Sequence, residues 1–80
     1  MLSAYIGAAL RHATCEQLPG DGSWYCEIPE LPGVWANADT EAQAREDLRQ
    51  ALEGWIVLRL RMQQSIPAID GVTLSFEHVA

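Results

Sequence analysis

Ile28-Pro29-Glu30-Leu31-Pro32-Gly33-Val34-Trp35-Ala36-Asn37-Ala38-Asp39-Thr40 is the stretch on which the fold of this chain turns. Pro29 and Pro32 donate no backbone hydrogen bond, and each drives the residue before it, Ile28 and Leu31, toward extended geometry. Gly33 relieves the backbone where the chain turns back. Val34-Trp35-Ala36-Asn37 is short and β-prone, so a strand is expected there rather than a helix. Thr40 and Gln43 form a T-x-x-Q capping box that opens a long helix. A strand end, a proline-braced bend, a second strand and a helix start thus follow one another without a linker.

On the N-terminal side of the bend, residues 13–18 and 23–28 read as two strands joined by Pro19-Gly20-Asp21-Gly22. A loop of that length pairs Leu18 with Ser23 and sets Cys15 opposite Cys26. One face then carries Ala13, Cys15, Gln17, Trp24, Cys26 and Ile28, and the other carries Thr14, Glu16, Tyr25 and Glu27. Opposed cysteines are within reach of a disulfide. No secretory signal precedes them, because the apolar run from Leu2 to Leu10 is short and lacks a basic lead. It is also well below the roughly 18 residues of a membrane span. A cytoplasmic protein is therefore expected, with Cys15 and Cys26 as reduced, small, buried hydrophobes. His12 and His78 lie at opposite ends of the chain, so no metal site and no cofactor are expected.

On the C-terminal side, residues 33–38 read as a third strand and residues 40–63 as the main helix. Ala44, Leu48, Ala51, Leu52, Trp55, Leu58 and Met62 form its core stripe. Ile56, Val57 and Leu60 fall outside that stripe and need another cover. The N-terminal helix or a second chain can supply it, and these three are the candidate oligomer contacts. Residues 2–12 read as a short helix with Leu2, Ile6, Ala9, Leu10 and Ala13 on one face. Pro67 ends the helical region, and Asp70-Gly71 is turn chemistry. Val72 to Val79 alternates as a last strand, expected at the sheet edge and parallel to the first. The expected architecture is a single α+β domain over residues 1–80: a three-stranded antiparallel meander, a terminal edge strand, a long amphipathic helix on one face and a short N-terminal helix.

The chain has 80 residues. One of that size hides only about 60–65% of its extended-chain surface, so a homodimer or a dimer of dimers is expected. Eleven acids face five bases, all arginine, for a net charge of −6. That balance argues against nucleic-acid binding. It fits a basic partner, and it equally fits an acidic surface kept for solubility.

The run Trp24-Tyr25-Cys26-Glu27-Ile28-Pro29-Glu30-Leu31-Pro32-Gly33-Val34, followed by Asp39-Thr40, resembles the core motif of HicB-like antitoxins. Trp55 and Ile66-Pro67 also sit where that family has an aromatic and an I-P pair. The resemblance covers about residues 13 to 70. Common members start directly with the first strand, so the N-terminal helix reads as a departure. The resemblance implies a sheet like a truncated ribonuclease H core without its active site. It implies a type II toxin–antitoxin role, in which the domain sequesters a small basic HicA-like RNA-cleaving toxin. Many members carry a C-terminal DNA-binding segment, and none is expected here after Ala80.

The candidate partner-binding residues are Glu16, Glu27, Glu30, Pro32, Trp35 and Asp39. Trp35 is expected to point outward, because Val34 and Ala36 compete for the inner face, and an outward tryptophan is a ready hot spot. The rival readings are a minimal metal-dependent nuclease and a stand-alone oligomer with no toxin partner. The nuclease needs converging acids to hold two metals. Glu16 and Glu27 can share a face, but no third acid is placed to join them. The chain also shows no nucleophile–base pair and no phosphate loop before a helix.

Overall fold

The computed structural model describes residues 2–74. Helix α1 (Leu2–Arg11) leads into strands β1 (Thr14–Gln17), β2 (Trp24–Glu27) and β3 (Trp35–Ala38), and helix α2 (Glu41–Arg61) follows. The strands form one antiparallel sheet in the order β1-β2-β3. The α+β meander expected from the sequence is therefore the fold. Among the described residues no helix is long and apolar enough to cross a membrane. The expected last strand is not seen over its described part: Val72 pairs back onto Ile69 rather than onto β1. Residues 75–79 of that expected strand, His78 included, lie outside the described residues.

The bend between β2 and β3 is two tight turns in succession. Leu31 N donates to Ile28 O at 2.9 Å, and Val34 N donates to Leu31 O at 3.0 Å. Each turn has proline at its second position, and Gly33, at φ 97°, supplies the left-handed third position of the second. The threefold spacing turns Ile28, Leu31 and Val34 all inward, where each is fully buried. The same bend leaves Pro29, Glu30 and Pro32 exposed to solvent.

The four-residue loop sets the register as expected, with Thr14 opposite Glu27, Cys15 opposite Cys26 and Glu16 opposite Tyr25. One expectation is overturned here: Cys15 and Cys26 are not free thiols but a disulfide. The register brings their Cα atoms to 4.1 Å, at the close end of what a bridge spans. Loop length dictates that opposition, whereas oxidation depends on surroundings.

α2 lies on the inner face of the sheet. α2 crosses β2 and β3, and α1 lies beside α2. Thr40 caps α2 by accepting a bond from Gln43 N at 3.1 Å. Only half of the expected capping box forms, because the Gln43 side chain donates forward to Asp47 instead. α2 closes with Gln63 in the left-handed region at φ 54°. Gln64 N then donates to Arg59 O, and Gln63 N to Leu60 O, so the last carbonyls are satisfied.

The buried faces of both helices depart from the sequence reading. In α1 the core positions are Tyr5, Ala8 and Ala9, and Leu2 is about half exposed. Leu2 is the first residue of the helix. In α2 the buried line is Ala44, Leu48, Leu52 and Ile56, a strict i, i+4 row. Leu58 and Met62, expected in the core, are 55% and 56% exposed. Ile56, expected at an oligomer interface, is 1% exposed and belongs to the core. Leu60 packs partly against the core, so of the three interface candidates only Val57 is open, at 53%.

Candidate protein-binding face

With α2 on the inner side, the other face of the sheet has no covering element among the described residues. Side chains alternate along a strand, so this outer face collects every second residue. Thr14, Glu27 and Trp35 form one cross-strand row, and Glu16, Tyr25 and Asn37 form the next. The alternation read from the sequence grouped Thr14, Glu16, Tyr25 and Glu27 correctly. Tyr25 and Thr14 were not among the expected site residues, although that grouping was the signal for them.

Trp35 is 54% exposed, as expected for an outward side chain. Its ring stacks on Tyr25, with centroids 6.0 Å apart and planes 25° apart. The pair is diagonal across β2 and β3, where long aromatic side chains reach one another. Tyr25 OH donates to Glu27 Oε1 at 3.1 Å. Loss of hydration and the nearby Glu27 and Glu16 carboxylates push the Tyr25 hydroxyl above its usual range. Asn37 holds the far end of the face by donating to Ser23 Oγ and to Trp24 O. Thr14, Cys15, Glu16, Tyr25 and Glu27 line a shallow open cleft of about 180 Å³ between β1 and β2.

The charges divide between the two sides of the molecule. The sequence contains no lysine, and all five arginines lie on α1 or α2. Most have partners there: Arg45 pairs with Glu41, Arg49 with Glu46 and Glu53, and Arg11 with Asp70. Arg59 sits 4.7 Å from the centre of the Trp55 ring. No lysine or arginine is left to face Glu16 and Glu27.

The other three candidate residues lie elsewhere. Pro32 is in the bend, and Asp39 is in the turn that enters α2. Glu30 is drawn to the helical side by His12, which sits just beyond α1. His12 Nδ1 lies 2.8 Å from Glu30 Oε2, and His12 Nε2 lies 2.8 Å from Asp70 Oδ1. Asp70 is presented by a two-residue turn in which Asp70 and Gly71 both have positive φ, at 53° and 75°. A neutral imidazole has one donor, so both bonds are made only when the ring is protonated.

The hydrogen bonds to Asp70 and to Glu30 raise the His12 pKa above its usual 6.5. The bond from His12 holds the Glu30 carboxyl below its usual 4.5. Folding thus tightens the proton on His12, and that contribution is full below pH 6.5 and lost as pH rises through the raised value. Folding loosens the proton on Glu30, and that contribution is full above pH 4.5 and lost as pH falls through the lowered value. The stability difference between wild type and His12→Gln is therefore expected to be greatest between these two values. Urea unfolding at a series of pH values checks this. A difference that is flat from about pH 4 to about pH 9 would remove the linkage.

Among the described residues no group of three His, Cys, Asp or Glu side chains is arranged to hold a metal ion. Glu16 and Glu27 share the outer face without a third acid among the described residues.

The model of the UPF0150-like family matches residues 4–67 of this chain. The crystal structure of TTHA0281 from Thermus thermophilus is similar at a TM-score of 0.87 and 31% sequence identity, over 96% of this chain and 95% of that one. No curated protein matches. The family match begins within α1, so the first helix is part of the domain this family shares.

Proposed function

From the premise that this chain belongs to the UPF0150-like family, we propose that it is a protein-binding module and not an enzyme. Its partner is a small basic protein of the HicA-like toxin class, which it holds through the outer face of its sheet. The observation that carries this reading is the face itself: a stacked Tyr25–Trp35 pair beside Glu16 and Glu27, with no lysine or arginine on that side. Such a surface attracts cations at long range and offers a large flat anchor at short range. A bound basic toxin would have its RNA site covered. The resemblance to HicB-like antitoxins supplies the partner class, and the cytoplasm is the proposed location.

A second proposal concerns self-association. Val57, Leu58 and Met62 are more than half exposed on adjoining turns of α2. A second copy meeting this patch would bury them, with a two-fold dimer as the simplest closed assembly. Val57 alone carries over from the interface expected from sequence.

One experiment addresses both readings. The chain is co-expressed with any small basic protein encoded beside its gene, purified at low salt, and weighed by light scattering alone and in complex. Trp35→Ala is expected to weaken the complex by about 2 kcal/mol, roughly 30-fold in Kd, mainly through faster dissociation. Glu27→Lys is expected to slow association, with the loss shrinking at high salt. If the basic protein does not co-purify at low salt, the toxin reading is wrong. A monomer mass for the free chain at tens of micromolar removes the self-association reading.

A further inference from the structure

Resting on the binding-module reading, we propose that the cleft between β1 and β2 takes one arginine side chain of the partner, its guanidinium set between Glu16 and Glu27 and laid against Tyr25. Several observations converge on that occupant. The two carboxylates lie on the outer sheet face, one from each strand, and the cleft of about 180 Å³ opens between them. Neither is matched by a lysine or arginine of this chain, so a cation that pairs with them would come from outside. Glu27 accepts from Tyr25 OH through Oε1, which leaves Oε2 for another donor.

The aromatic pair narrows the choice of cation. A guanidinium is planar, stacks on an aromatic face and presents several N–H groups in a fixed fork. An ammonium is a strongly hydrated point charge and gains less from a flat wall. Tyr25 borders the cleft and is backed by Trp35, so one wall is aromatic and the rim is acidic. The chain uses the same pairing on its helical side, where Arg59 lies 4.7 Å from the centre of the Trp55 ring. The cleft is open and shallow, which suits the end of a side chain presented by a larger partner.

The test uses the full chain labelled for ¹H–¹⁵N NMR and three blocked tripeptides, Gly-X-Gly, in which X is arginine, lysine or citrulline. Citrulline keeps the shape of arginine and loses its charge. The arginine peptide is expected to shift the Trp35 indole and the Thr14, Glu16, Tyr25 and Glu27 amides with millimolar affinity. The lysine and citrulline peptides are expected to bind about tenfold more weakly. Glu27→Gln should reduce arginine binding by a similar factor while leaving the amide spectrum of α2 in place. Equal binding of the three peptides overturns the proposal. So does the absence of any shift at tens of millimolar arginine peptide. If the arginine preference fails while Trp35→Ala still weakens the basic-protein complex, the arginine slot alone is wrong. If the basic protein does not bind at all, the binding-module reading falls with it.

Discussion

Leu52→Ala is expected to lower the unfolding free energy by about 2–5 kcal/mol. Leu52 is fully buried and sits mid-row between Leu48 and Ile56 on the face of α2 that covers the sheet. Truncation removes apolar contact and leaves a cavity that a small domain cannot easily close. Typical domains are stable by only about 5–15 kcal/mol, so this one substitution removes a large share of the margin. Leu58 lies on the same helix but is more than half exposed, and Leu58→Ala is expected to change the stability of the monomer by less than about 0.5 kcal/mol. Urea denaturation of both variants makes the comparison. Equal losses would mean that the buried row of α2 is not the one described.

Reduction of the Cys15–Cys26 bond is the second large effect. The bond closes a loop with a sequence separation of 11. Chain-entropy reasoning for a loop of that length gives about 3 kcal/mol, counted as lost constraint on the unfolded chain. The hairpin is already closed by its own turn, so this figure is a ceiling. For a domain of this size it corresponds to a fall in Tm of roughly 10–20 °C. Thermal unfolding with and without dithiothreitol measures it, with a Cys15→Ala/Cys26→Ala double variant as the insensitive control. Identical melting of the wild type in both conditions would mean that the bond adds nothing to the stability of the fold. In a reducing cytoplasm this bond is the contact most open to loss.

How much of this was legible in the sequence differs from element to element. The bend was legible because proline and glycine act on their own backbone, whatever lies around them. The hairpin register was legible because a loop of fixed length leaves one pairing that keeps Trp24 and Cys26 on the inner face. The outer grouping of Glu16 and Glu27, and the outward turn of Trp35, followed from the same alternation. The C-terminal half of α2 was not legible. Ile56, Val57, Leu58 and Leu60 are all apolar, so periodicity cannot choose which of them faces the sheet. The direction of α2 across the strands makes that choice, and it selected Ile56 over Leu58. The His12 contacts left no local pattern at all, because Glu30 and Asp70 are brought to the ring by two separate turns.

Those contacts also bear on the order in which the molecule comes together and comes apart. Tyr5 OH donates to Pro67 O, and His12 meets Asp70, so α1 is tied to the segment after α2 across sequence separations of 62 and 58 residues. Hairpin pairing and the α2 turns need only short loops, and loop-closure entropy grows with length. The meander and α2 can therefore form before the two ends meet, and the ends add their contacts last. In the folded molecule the same asymmetry runs backward. α1 is short, its polar ties are to the late segment, and its release leaves the sheet and α2 paired. Exchange of α1 amides with solvent is thus expected ahead of global unfolding, and hydrogen exchange measures it.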